Sequence, residues 1–228
     1  YHEQLNVVEG LIEAVRGEAL VIQTLYSPFM SAGHTTSNAT ITDHLKRAPD
    51  KVKQGLEVIT ESTLRFVHAC IDLGVDGFYA STQGGEAHRF EDPAIFSRYI
   101  KPYDLAVMET INRGCPFNVL HVCDYMGAYD DLSPFLNYPG DVVNCPLTLA
   151  SGTTTAREMA EIFDRPYMGG LDRHGTIATG THEAIRHRVR DFLSSAPDRT
   201  ILGADCTIPG DTDWDNVKTA IAAAHEAL

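Results

Sequence analysis

A chain of 228 residues, 43% of them hydrophobic, can bury a sizeable core and form one α/β barrel or most of one. Its formal net charge of −13, with Lys and Arg scattered along the chain, argues against binding nucleic acid or an anionic membrane. No apolar run approaches the roughly 20 residues of a membrane span, and the polar opening YHEQLNVVEG does not read as a signal peptide. The odd count of five cysteines does not suit a secreted disulfide framework, so free or metal-bound thiols in a cytoplasmic setting are expected.

The first strand-like run, ALVIQTLYS (19–27), ends in Tyr26 and Ser27. The amphipathic stretch DKVKQGLEVITESTLRFVHACIDLG follows; Cys70 on it reads as core packing, and Gly74 stands where a helix C-cap falls. The second run, VDGFYAST (75–82), leads into STQGGE (81–86), read as a loop whose glycines supply positive φ. No Walker or dinucleotide fingerprint accompanies those glycines, so a phosphate cradle is disfavoured. A second helical stretch, DPAIFSRYIKPYDLAVMETINRG, places Gly114 as another C-cap, and Cys115 precedes Pro116 at a strand entrance. FNVLHVC (117–123) and DVVNCP (141–146) are the third and fourth runs; Asn144 and Cys145 lie on opposite faces, so only one of them looks into a barrel mouth.

Thr155 and Glu158 have capping-box spacing ahead of REMAEIF, PYMGGL (166–171) is the fifth run, and Thr181 is the expected N-cap of HEAIRHRVRDFL. TILGADC (200–206) is the sixth run. Strands alternating with helices of this length imply βαβ units and a parallel sheet. No linker, low-complexity tract or internal repeat divides the chain, so residues 1–228 read as one domain.

The chemically capable residues cluster at the trailing strand ends, which a parallel barrel gathers at one mouth. His121 and Cys123 are two apart on a strand and share a face; Cys206 ends another strand. Zinc accepts one imidazole nitrogen and two thiolates, and a catalytic site keeps a fourth position open. On the residues alone the alternative stands that the thiols fill space as small hydrophobes, and Cys145 is either a reserve ligand or a packed thiol. Asp172 is a candidate general acid or base, or a partner of Arg173; Asp172 or Asp205 is placed to orient His121 through its second nitrogen. Tyr79 is the third candidate catalytic group, and Tyr26, Ser81, Gly170 and Arg173 are candidates for substrate contact. HEAIRH (182–187) imitates a zinc-protease motif, but histidines five apart lie about 140° apart on a helix and cannot share a metal.

Four segments, LYSPFM (25–30), DLGVDGFYAS, MGGLDRHGTIATGTHEAIRHRVRD and LGADCTIPGDTDWDNVKTAIAAA, resemble in order the segments of the uroporphyrinogen decarboxylase superfamily. The resemblance runs over essentially the whole chain and implies a TIM-type (β/α)8 barrel, with about six of the eight β/α units present here. Members of that family begin with about two further strand–helix units, which carry the arginines that hold porphyrinogen carboxylates, so an N-terminally incomplete barrel is expected. The decarboxylase branch closes with G-H-G, whose histidine lies in the active site; here the stretch is Gly203-Ala204-Asp205-Cys206. The corrinoid-dependent, thiol-directed methyltransferases of the same superfamily bind zinc through H-x-C and a distant cysteine, and HVC with GADC is similar to that pattern. The resemblance therefore implies Zn2+ on His121, Cys123 and Cys206, a methylcorrinoid co-substrate on a corrinoid protein, and a small-molecule thiol or folate-like acceptor; a homodimer is compatible with it. The expected activity is methyl transfer from the corrinoid to the thiol. Uroporphyrinogen decarboxylation is the alternative, although Arg89, Arg173 and Arg157 are few cations for a polycarboxylate, and a non-catalytic corrinoid- or partner-binding barrel is the third reading.

Overall fold

The computed structural model describes residues 1–227. The chain opens with α1 (His2–Val15) and β1 (Ile22–Tyr26), and three helices, α2 (Pro28–Thr35), α3 (Asn38–Arg47) and α4 (Pro49–Leu73), lead to β2 (Gly77–Thr82). A π-helical turn at Phe96–Ile100 runs into α5 (Lys101–Gly114), followed by β3 (Val119–Val122) and β4 (Val142–Asn144). A small hairpin, β5 (Thr148–Leu149) with β6 (Gly152–Thr153), precedes α6 (Ala156–Phe163) and β7 (Tyr167–Leu171). Then come α7 (Thr176–Thr179), α8 (His182–Ser195), β8 (Thr200–Ala204) and α9 (Trp214–Glu226). None of these helices is long and apolar enough to cross a membrane.

All six predicted runs are strands of one parallel sheet, in the order β1-β2-β3-β4-β7-β8. Among the described residues β1 and β8 do not pair with each other, so the barrel is open between them. Alternation along the strands sorts side chains to two faces. Phe78 and Ala80 of β2 and Leu120 and Val122 of β3 pack into the main core with the helices. Tyr79 and His121 face the interior, their rings 5.0 Å apart. Every residue of β3 is buried, as expected where helices cover one face of a parallel strand and the barrel interior takes the other.

The helices form for legible reasons. Pro49 sits in the first turn of α4, where its missing N–H costs nothing, and Val52, Leu56, Val67 and Cys70 bury one stripe of that helix. Gly74 ends it in the left-handed conformation at φ 92°, with its N–H on the carbonyls of Cys70 and Ile71. Thr155 and Glu158 make the reciprocal capping box of α6, and Thr181 caps α8. Gly114 corrects the sequence reading: it is the last residue of α5 and the cap is Cys115 in extended backbone. A Cβ at 114 would lie 2.5 Å from the Ile71 side chain, so this glycine serves the close approach of α5 to α4.

Candidate metal centre

The strand register lines up one interior rung: Tyr26 opposite Ser81, Ser81 opposite His121, and His121 opposite Asn144. Cys123 follows β3 directly, and Cys206 follows β8. The sheet curls enough to bring the two thiols together even though their strands stand three places apart. Cys123 Sγ lies 3.8 Å from Cys206 Sγ, and Cys206 Sγ lies 3.5 Å from His121 Nε2.

Those separations can be checked against a metal. A tetrahedral zinc shell with Zn–S bonds of about 2.3 Å and Zn–N bonds of about 2.0–2.1 Å has S···S edges of about 3.8 Å and S···N edges of about 3.5 Å. The sulfurs are far outside disulfide distance. The residues fit the group. Among the described residues this trio is the one His/Cys/Asp/Glu cluster whose ligand atoms all lie within 4.8 Å of one another.

Cys123 is fixed at three points. Its N–H donates to the Thr82 carbonyl at 3.0 Å, its carbonyl accepts from the buried Tyr129 hydroxyl at 2.8 Å, and its sulfur accepts from Gln83 Nε2 at 3.2 Å. Gln83 escaped the sequence reading because it lies in the loop assigned to its glycines. The glycine reading holds for Gly84, which has φ 108° and where a Cβ would meet Ile100 at 2.7 Å, but not for Gly85, which does not adopt positive φ. The turn Gly84 permits is what folds Gln83 back onto the sulfur. The two thiols split in acidity. Cys206 is drawn well below its ordinary value, first by the hydrogen bond it accepts from Cys123 and then, against the cost of burial, by His121. Cys123 is pushed up by giving that bond and by burial.

Asn144, not Cys145, looks into the mouth. The Tyr79 hydroxyl donates to Asn144 Oδ1 at 2.6 Å, and Asn144 Nδ2 donates to the carbonyls of Met168 at 2.8 Å and Ala204 at 3.1 Å. One side chain thus ties β2, β4, β7 and β8 beneath the metal trio. Cys145 is buried in the core with the helices, apart from the trio. Burial, followed by the nearby cysteines and Asp205, raises the Tyr79 hydroxyl far above its ordinary value, so it acts as a neutral donor.

The two aspartates do not reach His121. Asp172 is exposed and accepts from its own loop, at His174 N–H, 2.8 Å. Asp205 accepts from the Arg173 backbone N–H at 2.8 Å, and burial raises its pKa ahead of the opposing pull of Arg173. His121 Nδ1 is buried without a hydrogen-bond partner among the described residues. Arg173 therefore pairs with Asp205, and with Asp124 at 2.8 Å, and not with Asp172.

Beside the centre lies a cavity of about 650 Å³ whose lining includes Gly170, Asp172, Arg173 and Asp205 together with Tyr167 and Phe192. Tyr26 lies apart from it, half exposed at the open β1 edge with its ring against His34. Ser81 is buried on the interior rung. His182 and His187 are exposed on α8, as their spacing requires.

The family model described as Uroporphyrinogen decarboxylase (URO-D) matches residues 2–227. The methylated-thiol–coenzyme M methyltransferase of Methanosarcina mazei is 23% identical over 236 residues, covering 98% of this chain and 59% of that protein. A solved methyltransferase from the same organism superposes with a TM-score of 0.76 at 18% identity, over 97% of this chain and 63% of that one. A B12-independent methionine synthase from Shewanella sp. W3-18-1, in complex with selenomethionine, gives a TM-score of 0.56 at 13% identity, over 98% and 64%. At these identities the two solved structures speak for the fold alone. The chain spans about three fifths of the length of the two Methanosarcina proteins. A matched family model over nearly every residue, on a sheet of parallel strands in the expected order, places the chain in the uroporphyrinogen decarboxylase family.

Proposed function

We propose that the protein is a zinc-dependent methyltransferase that moves a methyl group from a methylated corrinoid, carried on a corrinoid protein, to a small thiol. The observation that supports this most is the His121–Cys123–Cys206 trio, in which the Cys123–Cys206 separation of 3.8 Å and the Cys206–His121 separation of 3.5 Å match edges of a tetrahedral shell. The likeness to a methylated-thiol–coenzyme M methyltransferase points the same way. Zinc held there would supply Lewis acidity that keeps a coordinated thiol in its thiolate form, the competent nucleophile.

The chain's own residues prepare that chemistry. Gln83 donates to Cys123 sulfur and, with zinc held there, would spread the charge of that thiolate, while the Thr82 carbonyl and the Tyr129 hydroxyl hold the Cys123 backbone. Tyr79 lies against the His121 ring and, through Asn144, fixes the strand ends under it. The adjacent cavity, with an apolar floor at Tyr167 and Phe192, is the proposed seat of the acceptor. In the transfer the acceptor sulfur gains the C–S bond, its proton leaves to solvent, and the electron pair of the broken bond stays with the methyl donor.

The arginines near the mouth argue against a tetrapyrrole polycarboxylate. Arg89 is committed to Glu86 at 2.7 Å, Arg173 to Asp124 and Asp205, and Arg157 to the Ala196 carbonyl. The full-length protein should convert methylcobalamin and a small thiol to thioether, and a strong zinc chelator should abolish the reaction. Chelator-resistant transfer, or carbon dioxide release from uroporphyrinogen, would reverse the assignment.

A further inference from the structure

We propose that Arg173 is a positioning residue that sets the distance between the two sulfurs, by clasping the residue next to each. The inference rests on the reading of His121, Cys123 and Cys206 as metal ligands.

The sheet ladder cannot fix that distance. Cys123 follows β3 and Cys206 follows β8, with β4 and β7 between them. Three strand spacings amount to about 14 Å across a flat sheet, so the 3.8 Å between the sulfurs depends on how the strand ends lean together. β8 is moreover an outer strand, bonded to β7 on one side and to no strand on the other among the described residues. Its end needs a tie across the mouth. Asn144 reaches the Ala204 carbonyl from β4, below the sulfurs. Arg173 makes the link at their own level. Its Nη1 donates to Asp124 Oδ1 at 2.8 Å, directly after Cys123, and approaches Asp205 Oδ2 at 3.5 Å, directly before Cys206. Its backbone N–H holds the other Asp205 oxygen at 2.8 Å.

These are not loose surface pairs. The Arg173 side chain is 14% exposed and those of Asp124 and Asp205 are 22% and 30%. Shielding from solvent strengthens such contacts, and a planar guanidinium spans two carboxylates where an ammonium cannot match its geometry. The same arrangement argues against Arg173 as the anchor of an anionic substrate. Two carboxylates beside one guanidinium already cancel its charge and would repel an incoming anion.

The test compares wild type with Arg173→Met and Arg173→Lys in the full-length protein, with Asp124→Asn as a variant that removes one arm only. Zinc affinity is read by chelator competition, and Co2+ is loaded so that its thiolate charge-transfer and d–d bands report the ligand geometry directly. The expected result is a 10–100-fold loss of zinc affinity in Arg173→Met with weakened cobalt bands, a smaller loss in Asp124→Asn, and partial recovery in Arg173→Lys. Unchanged affinity and unchanged bands in both Arg173→Met and Asp124→Asn, with any activity loss confined to a higher KM, would overturn the clasp and make Arg173 a substrate anchor. If wild type itself takes up neither zinc nor cobalt, the metal reading falls and carries the clasp down with it.

Discussion

Asp104 allows a prediction about pH that the structure sets in sign and size. This residue of α5 is fully buried; its Oδ2 accepts from the hydroxyls of Thr82 and Tyr138, and its Oδ1 has no partner among the described residues. Burial raises its pKa from 3.8 to about 7, against the downward pull of Thr82, Tyr138 and Ser27. The folded chain therefore holds a proton that the unfolded chain releases near pH 4. Between those two values the folded state binds more protons, so this group's contribution to stability falls as pH rises and levels off above about pH 7. The full difference is on the order of 4 kcal/mol. Asp104→Asn keeps an acceptor for the two hydroxyls and removes the titration. Urea unfolding of wild type and variant at intervals from pH 4.5 to 8 isolates the effect, because other groups cancel in the difference. The variant should gain on wild type from pH 4.5 to about pH 7, and the difference should then stay level to pH 8. Parallel stability curves would refute the argument. The site has a stake in the outcome, since the Thr82 carbonyl bonded to Cys123 belongs to the residue whose side chain Asp104 holds.

Two further substitutions bear on the loop after β2. Gln83→Leu removes the amide donated to Cys123 sulfur and should lower zinc affinity about 10–100-fold in chelator competition; an unchanged affinity would reduce the contact to packing. Gly84→Ala forces a side chain into φ 108° and to within 2.7 Å of Ile100 and 3.2 Å of Phe29, and should cost about 1–3 kcal/mol in thermal or urea unfolding. A melt indistinguishable from wild type would show that the loop yields freely.

The strands were legible because each is a short apolar run closed by polar residues, and a parallel strand buried on both faces offers no other pattern. Period-two alternation likewise put His121 and Cys123 on one face and separated Asn144 from Cys145. Which of that second pair faced inward was not legible, because the phase of a three-residue strand is set by its neighbours, here by His121 opposite Asn144. The partners of Arg173 were not legible for a related reason. Asp172 is adjacent in sequence, but its side chain closes its own turn, and the curl of the sheet brings Asp124 and Asp205 to the guanidinium instead. The hairpin at Thr148–Thr153 consists of two-residue strands, too short to carry a period. Gln83 lies outside any periodic element, so nothing in the pattern marked it as buried.

Zinc content of the purified full-length protein, measured on wild type, Cys206→Ser and Cys145→Ser, tests the metal centre most directly. The two substitutions are chemically identical and differ only in place. Cys206 stands within 3.8 Å of Cys123 Sγ and 3.5 Å of His121 Nε2, whereas Cys145 is sealed in the core with the helices. One zinc per chain in wild type and in Cys145→Ser, with most of it lost in Cys206→Ser, is the predicted result. Equal zinc in wild type and Cys206→Ser, or loss only in Cys145→Ser, would contradict it.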